Sequence, residues 1–192
     1  MEMCATMECD GGDEHFCFTM TEYCYAILVK KIRWSESSLI VTWVTDKFGT
    51  LQTSVRGALQ PKSSFAGKLD IFHHAEISFD SARSGSLHSL REVTLISTLE
   101  ISSYRRLEMA SYFAELSATV TPAMHPAPEI HSLLNRALNY LRDNDPDERI
   151  LPHFEREMAK LLGIWDPSEK VSPSVAIAGL CGGYLPRSRP RL

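Results

Sequence analysis

An α+β architecture, with an N-terminal five-stranded β-barrel followed by a small helical domain, is predicted by three observations. Apolar residues alternate with period two from Tyr23 to about Ser97, and the period becomes about 3.6 after Ser102-Ser103. Five short runs rich in Ile, Val, Thr and Trp fall within the alternating part. Clusters of Gly, Pro, Ser and Asp separate those runs and supply the turns.

The first strand is expected over Tyr25–Ile32 and the second over Ser38–Asp46. Asp46-Lys47-Phe48-Gly49 closes a tight hairpin, with Gly49 free to take a positive φ. In the third, Thr50–Gly57, Leu51, Thr53 and Val55 face one side and Gln52, Ser54 and Arg56 the other, so Arg56 is wet. The fourth, Lys68–Phe79, would bury Leu69, Ile71, Ala75, Ile77 and Phe79, with His73 inward and His74 outward. Ser84-Gly85-Ser86 leads to the fifth, Leu87–Ile96. Five such strands suit a closed barrel of the oligonucleotide/oligosaccharide-binding (OB) type. Phase assigns Trp43 to its core, with Phe65 and Phe72 packing it and Phe48 exposed at the turn.

Tyr104–Thr119 reads as a helix, with Leu107, Ala110 and Ala114 on one stripe that Met109, Phe113, Leu116 and Val120 widen. Pro128-Glu129 opens a second helix that buries Ile130, Leu133, Leu134, Ala137, Leu138 and Leu141. Asp145-Pro146-x-Glu148 is expected to cap a third, which Pro152 kinks or restarts and Gly163 ends. The chain thus divides into 1–22, an acidic disordered leader; 23–99, the barrel; 100–166, the helical domain; and 167–192, a basic flexible tail.

The 192 residues carry a formal charge of −4, but the charge is segregated: −6 over 1–22, +3 over 23–99, −4 over 100–166 and +3 over 167–192. Binding of phosphate follows the local field, so the barrel is the part to search. No apolar run approaches the roughly 18 residues of a membrane span, and the acidic amino terminus is no signal peptide. A cytoplasmic protein is expected. The five cysteines are an odd set without a Cys-x-x-Cys pair and read as free thiols; Cys4, Cys9, Cys17 and His15 fit no common zinc spacing.

Catalysis finds no support in the residues. No serine occupies a nucleophile elbow, and no Gly-rich phosphate loop carries a lysine. His73 and His74 are adjacent on one strand, face opposite ways and cannot chelate one ion together. Asp143, Asp145 and Asp147 read as solvated capping residues. No enzyme, metal or cofactor is expected. The cations instead suit a polyanion. Lys31 and Arg33 share one face of the first strand, Lys47 sits at a hairpin tip, Arg56 faces solvent, Lys62 and Lys68 flank a turn, and Arg105-Arg106 opens the first helix. Each phosphate such groups neutralise releases counterions, which gives tight, salt-sensitive binding without sequence preference. Trp34, at a strand end beside Arg33, is a candidate for stacking on an unpaired base.

The segment Val55-Arg56-Gly57-Ala58 through Pro61-Lys62-Ser63-Ser64-Phe65-Ala66-Gly67-Lys68 to Phe72 carries no carboxylate before Asp70. Together with Ala26-Ile27-Leu28-Val29-Lys30-Lys31, Trp34–Thr42 and the turn Thr45–Gly49, it resembles the signature of the bacterial recombination mediator RecO family. The resemblance covers Tyr23 to Ile164, is strongest over the barrel, and lacks the cysteine-rich zinc module that follows in the family. It begins just after Met20, which is therefore read as the true start. It implies a non-enzymatic mediator of DNA repair that binds single- and double-stranded DNA, anneals strands, works with RecR, recognises the acidic tail of single-stranded DNA-binding protein, and helps load RecA at the nucleoid. The alternative reading is an adaptor that docks RecR or another repair partner and scarcely touches DNA.

Overall fold

The computed structural model describes residues 21–190 other than Arg83, Ser102 and Glu169. The expected leader up to residue 20, the start at Met20 and the Cys4, Cys9, Cys17 and His15 set lie outside the described residues, whereas Thr21 and Glu22, expected in the leader, begin the first strand. Five strands, β1 (Thr21–Arg33), β2 (Leu39–Thr45), β3 (Thr50–Val55), β4 (His74–Asp80) and β5 (Leu87–Ser97), close into a barrel in the order β1-β2-β3-β5-β4. Only the β3–β5 contact is parallel. The period-two pattern fills the lumen: Cys24, Ala26, Leu28, Val41, Trp43, Leu51, Val55, Ala75, Ile77, Phe79 and Val93 are all buried in one cluster. Trp43 is core as expected, and its indole N–H donates to Thr53 Oγ1 at 2.9 Å, which satisfies its single polar atom. The Cys24 thiol inside the barrel is pushed up to about 12 by burial, which keeps it protonated and unreactive.

Four helices follow among the described residues: α1 (Tyr104–Val120), α2 (Pro128–Asp143), α3 (Ile150–Leu161) and α4 (Pro173–Leu180). They share a second apolar cluster, which also takes Ile27, Val44 and Phe72 from the barrel. The two domains are therefore packed together, not tethered. Phe113 and Phe154 stack at its centre with ring centroids 3.9 Å apart.

Several expectations need correction. Lys68–His73 is not strand but a series of turns, because Phe72 takes a φ of 70° and folds its ring into the helical cluster instead of the barrel. Ile71, expected inside, is exposed. Phe48 is half-buried, edge-on to Phe79 at 5.3 Å, because the turn curls back over the barrel end. Leu107, on the expected stripe of α1, is exposed as well. The third helix starts at Ile150, where Asp147 Oδ1 accepts the N–H groups of Arg149 at 2.9 Å and Ile150 at 3.1 Å. Pro152 then lies in the first turn, where its missing N–H removes no helical bond. The tail is not free chain either: α4 packs Ile177 into the core, and Arg189 pairs with buried Glu155.

His74, at the start of β4, points out of the barrel as expected but meets His131 of α2, with ring centroids 5.2 Å apart. Nε2 of each ring is buried and, among the described residues, unpartnered, and the Asp46 carboxylate acts on both. Burial, with His74 adding to it, lowers the His131 imidazole from 6.5 to about 4. The unfolded chain thus takes up the proton first as pH falls, so the stability from this neutral ring is whole above about 6.5 and lost between 6.5 and 4. Urea unfolding at pH 7.5 and pH 5 should differ by about 2 kcal/mol from this group. His131→Leu should flatten that difference; an unchanged acid limb in the variant would refute the assignment.

Candidate nucleic-acid interface

The β1–β2 connection, residues 34–38, is a compact turn. Trp34 N–H donates to Ser38 O at 3.0 Å, and Ser35 Oγ accepts the N–H groups of Ser37 and Ser38. Arg33 braces it, its Nε donating to Ser35 O at 3.2 Å. The Trp34 ring stands 70% exposed.

Residues 56–69 wind through four successive turns, closed by Gln60 N–H to Gly57 O, Ser63 to Gln60, Ala66 to Ser63 and Lys68 to Phe65. Gly57 and Gly67 supply the left-handed backbone, at φ 69° and 73°. Ala58 and Phe65 pack on the barrel core and anchor the loop. Leu59 N–H donates to Ser37 O at 3.1 Å, which joins this loop to the β1–β2 turn. Arg33, Trp34 and Arg56 are thereby brought to one end of the barrel, and Lys62 lies on the loop that continues from it. Arg56 and Lys62 are exposed and, among the described residues, make no ion pair.

The remaining expected cations are placed differently. A bulge at Val29, where Leu28 pairs with Trp43 and Lys30 with Thr42, shifts the phase of β1. Lys31 consequently lies over the barrel mouth and donates to Leu69 O at 3.2 Å and to Asp70 Oδ1 at 2.7 Å. That pair holds the Asp70 carboxyl below its usual range, through the Lys31 hydrogen bond first. Lys31 therefore spends much of its charge within the fold. Lys47 donates to Tyr23 O at 3.1 Å, about 30 Å of strand away from Arg33. Lys68 lines a depression with Tyr23, Phe65 and Arg91 on another wall. Arg105 is exposed on the first turn of α1. Arg106 is only 17% exposed; Nε donates to Asp145 Oδ1 at 2.7 Å and Nη1 to Arg142 O at 2.8 Å. It is a structural tie between α1 and the end of α2, not a free cation. The expected single positive surface thus reduces to Arg33 and Arg56 beside Trp34, with Lys62 on the adjoining loop and Lys31 paired to Asp70. No group of three or more His, Cys, Asp or Glu among the described residues could hold a metal ion, and His73 Nδ1 lies 3.3 Å from Lys68 O.

A concavity of about 950 Å³ between α2 and α3 went unnoticed in the sequence. Phe113, Leu133 and Phe154 line it together with Arg136, Arg149 and Arg156 and the carboxylates of Asp147, Glu148 and Glu157. The net acidity of residues 100–166 averages these arginines away, so only their grouping in space reveals them. No helix of the described residues is long and apolar enough to cross a membrane.

Residues 20–99 match the family model for the recombination protein O N terminal, and residues 101–165 match that for the recombination protein O C terminal. The DNA repair protein RecO of Syntrophus aciditrophicus is 31% identical over 138 residues, covering 71% of this chain and 53% of that protein. The DNA repair protein RecO of Rhodopirellula baltica is 27% identical over 168 residues, covering 86% of this chain and 60% of that protein. The chain spans 53% and 60% of the length of these two curated relatives.

Proposed function

We propose, from the premise that this chain belongs to the RecO family of DNA repair proteins, that its barrel binds DNA through the end carrying Arg33, Trp34, Arg56 and Lys62. The observation that carries this reading is the Leu59–Ser37 hydrogen bond, which makes one surface of a tryptophan-bearing turn and a loop without carboxylates over residues 55–69. In OB barrels the loop after the first strand and the face of strands two and three are the usual oligonucleotide contacts. Phosphates would lie against the guanidinium and ammonium groups while Trp34 accepts a base. Holding one strand with its charge neutralised lowers the repulsion a complementary strand meets, which is the physical basis for annealing. Work with RecR, loading of RecA and action at the nucleoid complete the proposal as a non-enzymatic mediator. Recognition of the acidic tail of single-stranded DNA-binding protein would fall to the α2–α3 concavity, where Arg136, Arg149 and Arg156 beside Phe113, Leu133 and Phe154 must outweigh Asp147, Glu148 and Glu157.

Fluorescence anisotropy of a labelled oligonucleotide across salt concentrations tests the DNA surface. Four cationic contacts or fewer should give a log–log salt slope of about −2 to −3. Arg56→Glu with Lys62→Glu should make it shallower by about 1.4 and weaken binding by about tenfold or more. Affinity indifferent to salt, or to that double change, defeats the reading.

A further inference from the structure

His74 cannot share an ion with His73, its neighbour in the chain, but the fold supplies it with another imidazole. β4 begins at His74, whose backbone pairs with Ile27 of β1 on one side and Ser97 of β5 on the other. Ile27 belongs to the helical apolar cluster, so this stretch of the barrel wall is one that the helices cover. His131 stands in the first turn of α2, where its N–H donates to Ala127 O at 3.1 Å. Ala127 N–H in turn donates to Asp46 O at 3.2 Å, and Asp46 N–H to Tyr25 O at 3.1 Å. The start of α2 is thereby tied to the β2–β3 turn and to β1. Both rings ride on anchored backbone.

Each ring keeps a nitrogen that the fold buries without using. Nε2 of His74 and Nε2 of His131 are out of solvent and, among the described residues, have no hydrogen-bond partner. His131 as a whole is only 8% exposed. A polar atom orphaned inside a protein costs free energy, and a ligand that pairs it recovers that cost. The spacing says which ligand. Two imidazoles bound through nitrogen at about 2.0–2.1 Å to one tetrahedral ion place their ring centroids about 5 Å apart. Here the centroids are 5.2 Å apart, with the planes at 54°. Burial lowers both imidazoles from their usual value, which favours the neutral form that has a lone pair to give. The Asp46 carboxylate acts on both rings and would offset part of a cation's charge. His74 is half-buried beside the exposed Tyr25, at a ring separation of 6.3 Å, so an ion has a short way in.

We propose that His74 and His131 together bind one divalent late transition-metal ion such as zinc, and that the ion staples the barrel to the helical domain. Imidazole nitrogen suits zinc, nickel and copper, whereas magnesium and calcium take oxygen. Among the described residues no third His, Cys, Asp or Glu completes a set with them, so water fills the remaining positions. The staple is therefore exchangeable, unlike the closed four-ligand sites that hold structural zinc. It is independent of the DNA-binding reading.

The full chain, stripped with chelator and dialysed, should be titrated with zinc chloride and followed by calorimetry and thermal unfolding. At about a hundredfold excess over the dissociation constant the melt should rise by about 5 °C or more. Magnesium should leave it unchanged. His131→Leu and, separately, His74→Gln should each abolish the rise and remove one zinc per chain from the isotherm. With cobalt in place of zinc, the spectrum that His131→Leu removes should show visible bands of a tetrahedral ion and no near-ultraviolet thiolate absorption, since no cysteine is a ligand. Should His131→Leu disturb the fold by circular dichroism, His74→Gln, at the half-buried position, decides alone. A zinc isotherm and melt that these variants leave unchanged place the metal elsewhere and overturn the proposal. A melt indifferent to zinc overturns it as well, since the two nitrogens would then be no site for an ion.

Discussion

Arg189→Ala is expected to destabilise the protein by about 3 kcal/mol or more, although residue 189 lies in a stretch whose composition reads as loose tail. Glu155 is only 3% exposed within the helical cluster. Its Oε1 accepts the Tyr112 hydroxyl at 2.6 Å and Arg189 Nε at 2.8 Å, and Oε2 accepts Arg189 Nη2 at 3.2 Å. Removing the guanidinium strands a buried carboxylate with one neutral donor, and the penalty is that of desolvating an unpaired charge, far above the worth of a surface ion pair. Tyr112 is locked on the same side: burial first, then the neighbouring Glu155, raises its phenol above the usual range, so it stays a donor at any working pH. Urea unfolding followed by circular dichroism measures the loss. Glu155→Gln added to Arg189→Ala should recover a good part of it, since an amide needs no counter-charge. A single variant within about 0.5 kcal/mol of the unaltered protein would mean that Arg189 does not seat on Glu155 in solution.

Gly49→Ala should cost about 3 kcal/mol or more, or prevent accumulation of folded protein. Gly49 has φ +58°, and a Cβ on it would stand 2.2 Å from Pro122 O and 2.5 Å from His125 O. Both are backbone atoms of the loop after α1, and neither can swing aside. The β2–β3 hairpin is thereby seated on the helical domain, with Thr45 N–H on Gly49 O at 2.8 Å and Thr50 N–H on Pro122 O at 3.2 Å. Gly67 supplies the control. It shares the left-handed backbone, at φ +73°, but has open space where a Cβ would go. Gly67→Ala should therefore cost only the conformational strain, about 1 kcal/mol. The difference between the two measures the close approach of the two domains. Equal effects would show that strain alone matters and that the hairpin is not seated there.

Alternation made the barrel legible because each strand buries one face, and Trp43, Val55 and Phe79 had only one phase in which to stand. The fourth strand misled for the same reason. Leu69, Ile71 and Ala75 keep the phase of a strand, yet the left-handed Phe72 breaks the run, and no periodicity reports a single backbone angle. The basic residues behaved likewise. Arg56 and Lys62 sit in a stretch without acids and remain unpaired by any described residue, whereas Arg106 finds its carboxylate 39 positions away in Asp145. Lys31 finds Asp70 at the same separation. Charge in sequence tells what a residue can bind, not whether the fold has already bound it.

From residue order alone came the five strands, the first three helices after Ser103, the turn glycines and the cationic loop, because each depends on neighbours a few positions away. The closing of β3 beside β5, the seating of Gly49 on Pro122, the clamp of Glu155 by Arg189 and the meeting of His74 with His131 depend on contacts across tens of residues. Those are fixed by whichever packing buries both apolar clusters at once, and that is a property of the folded chain.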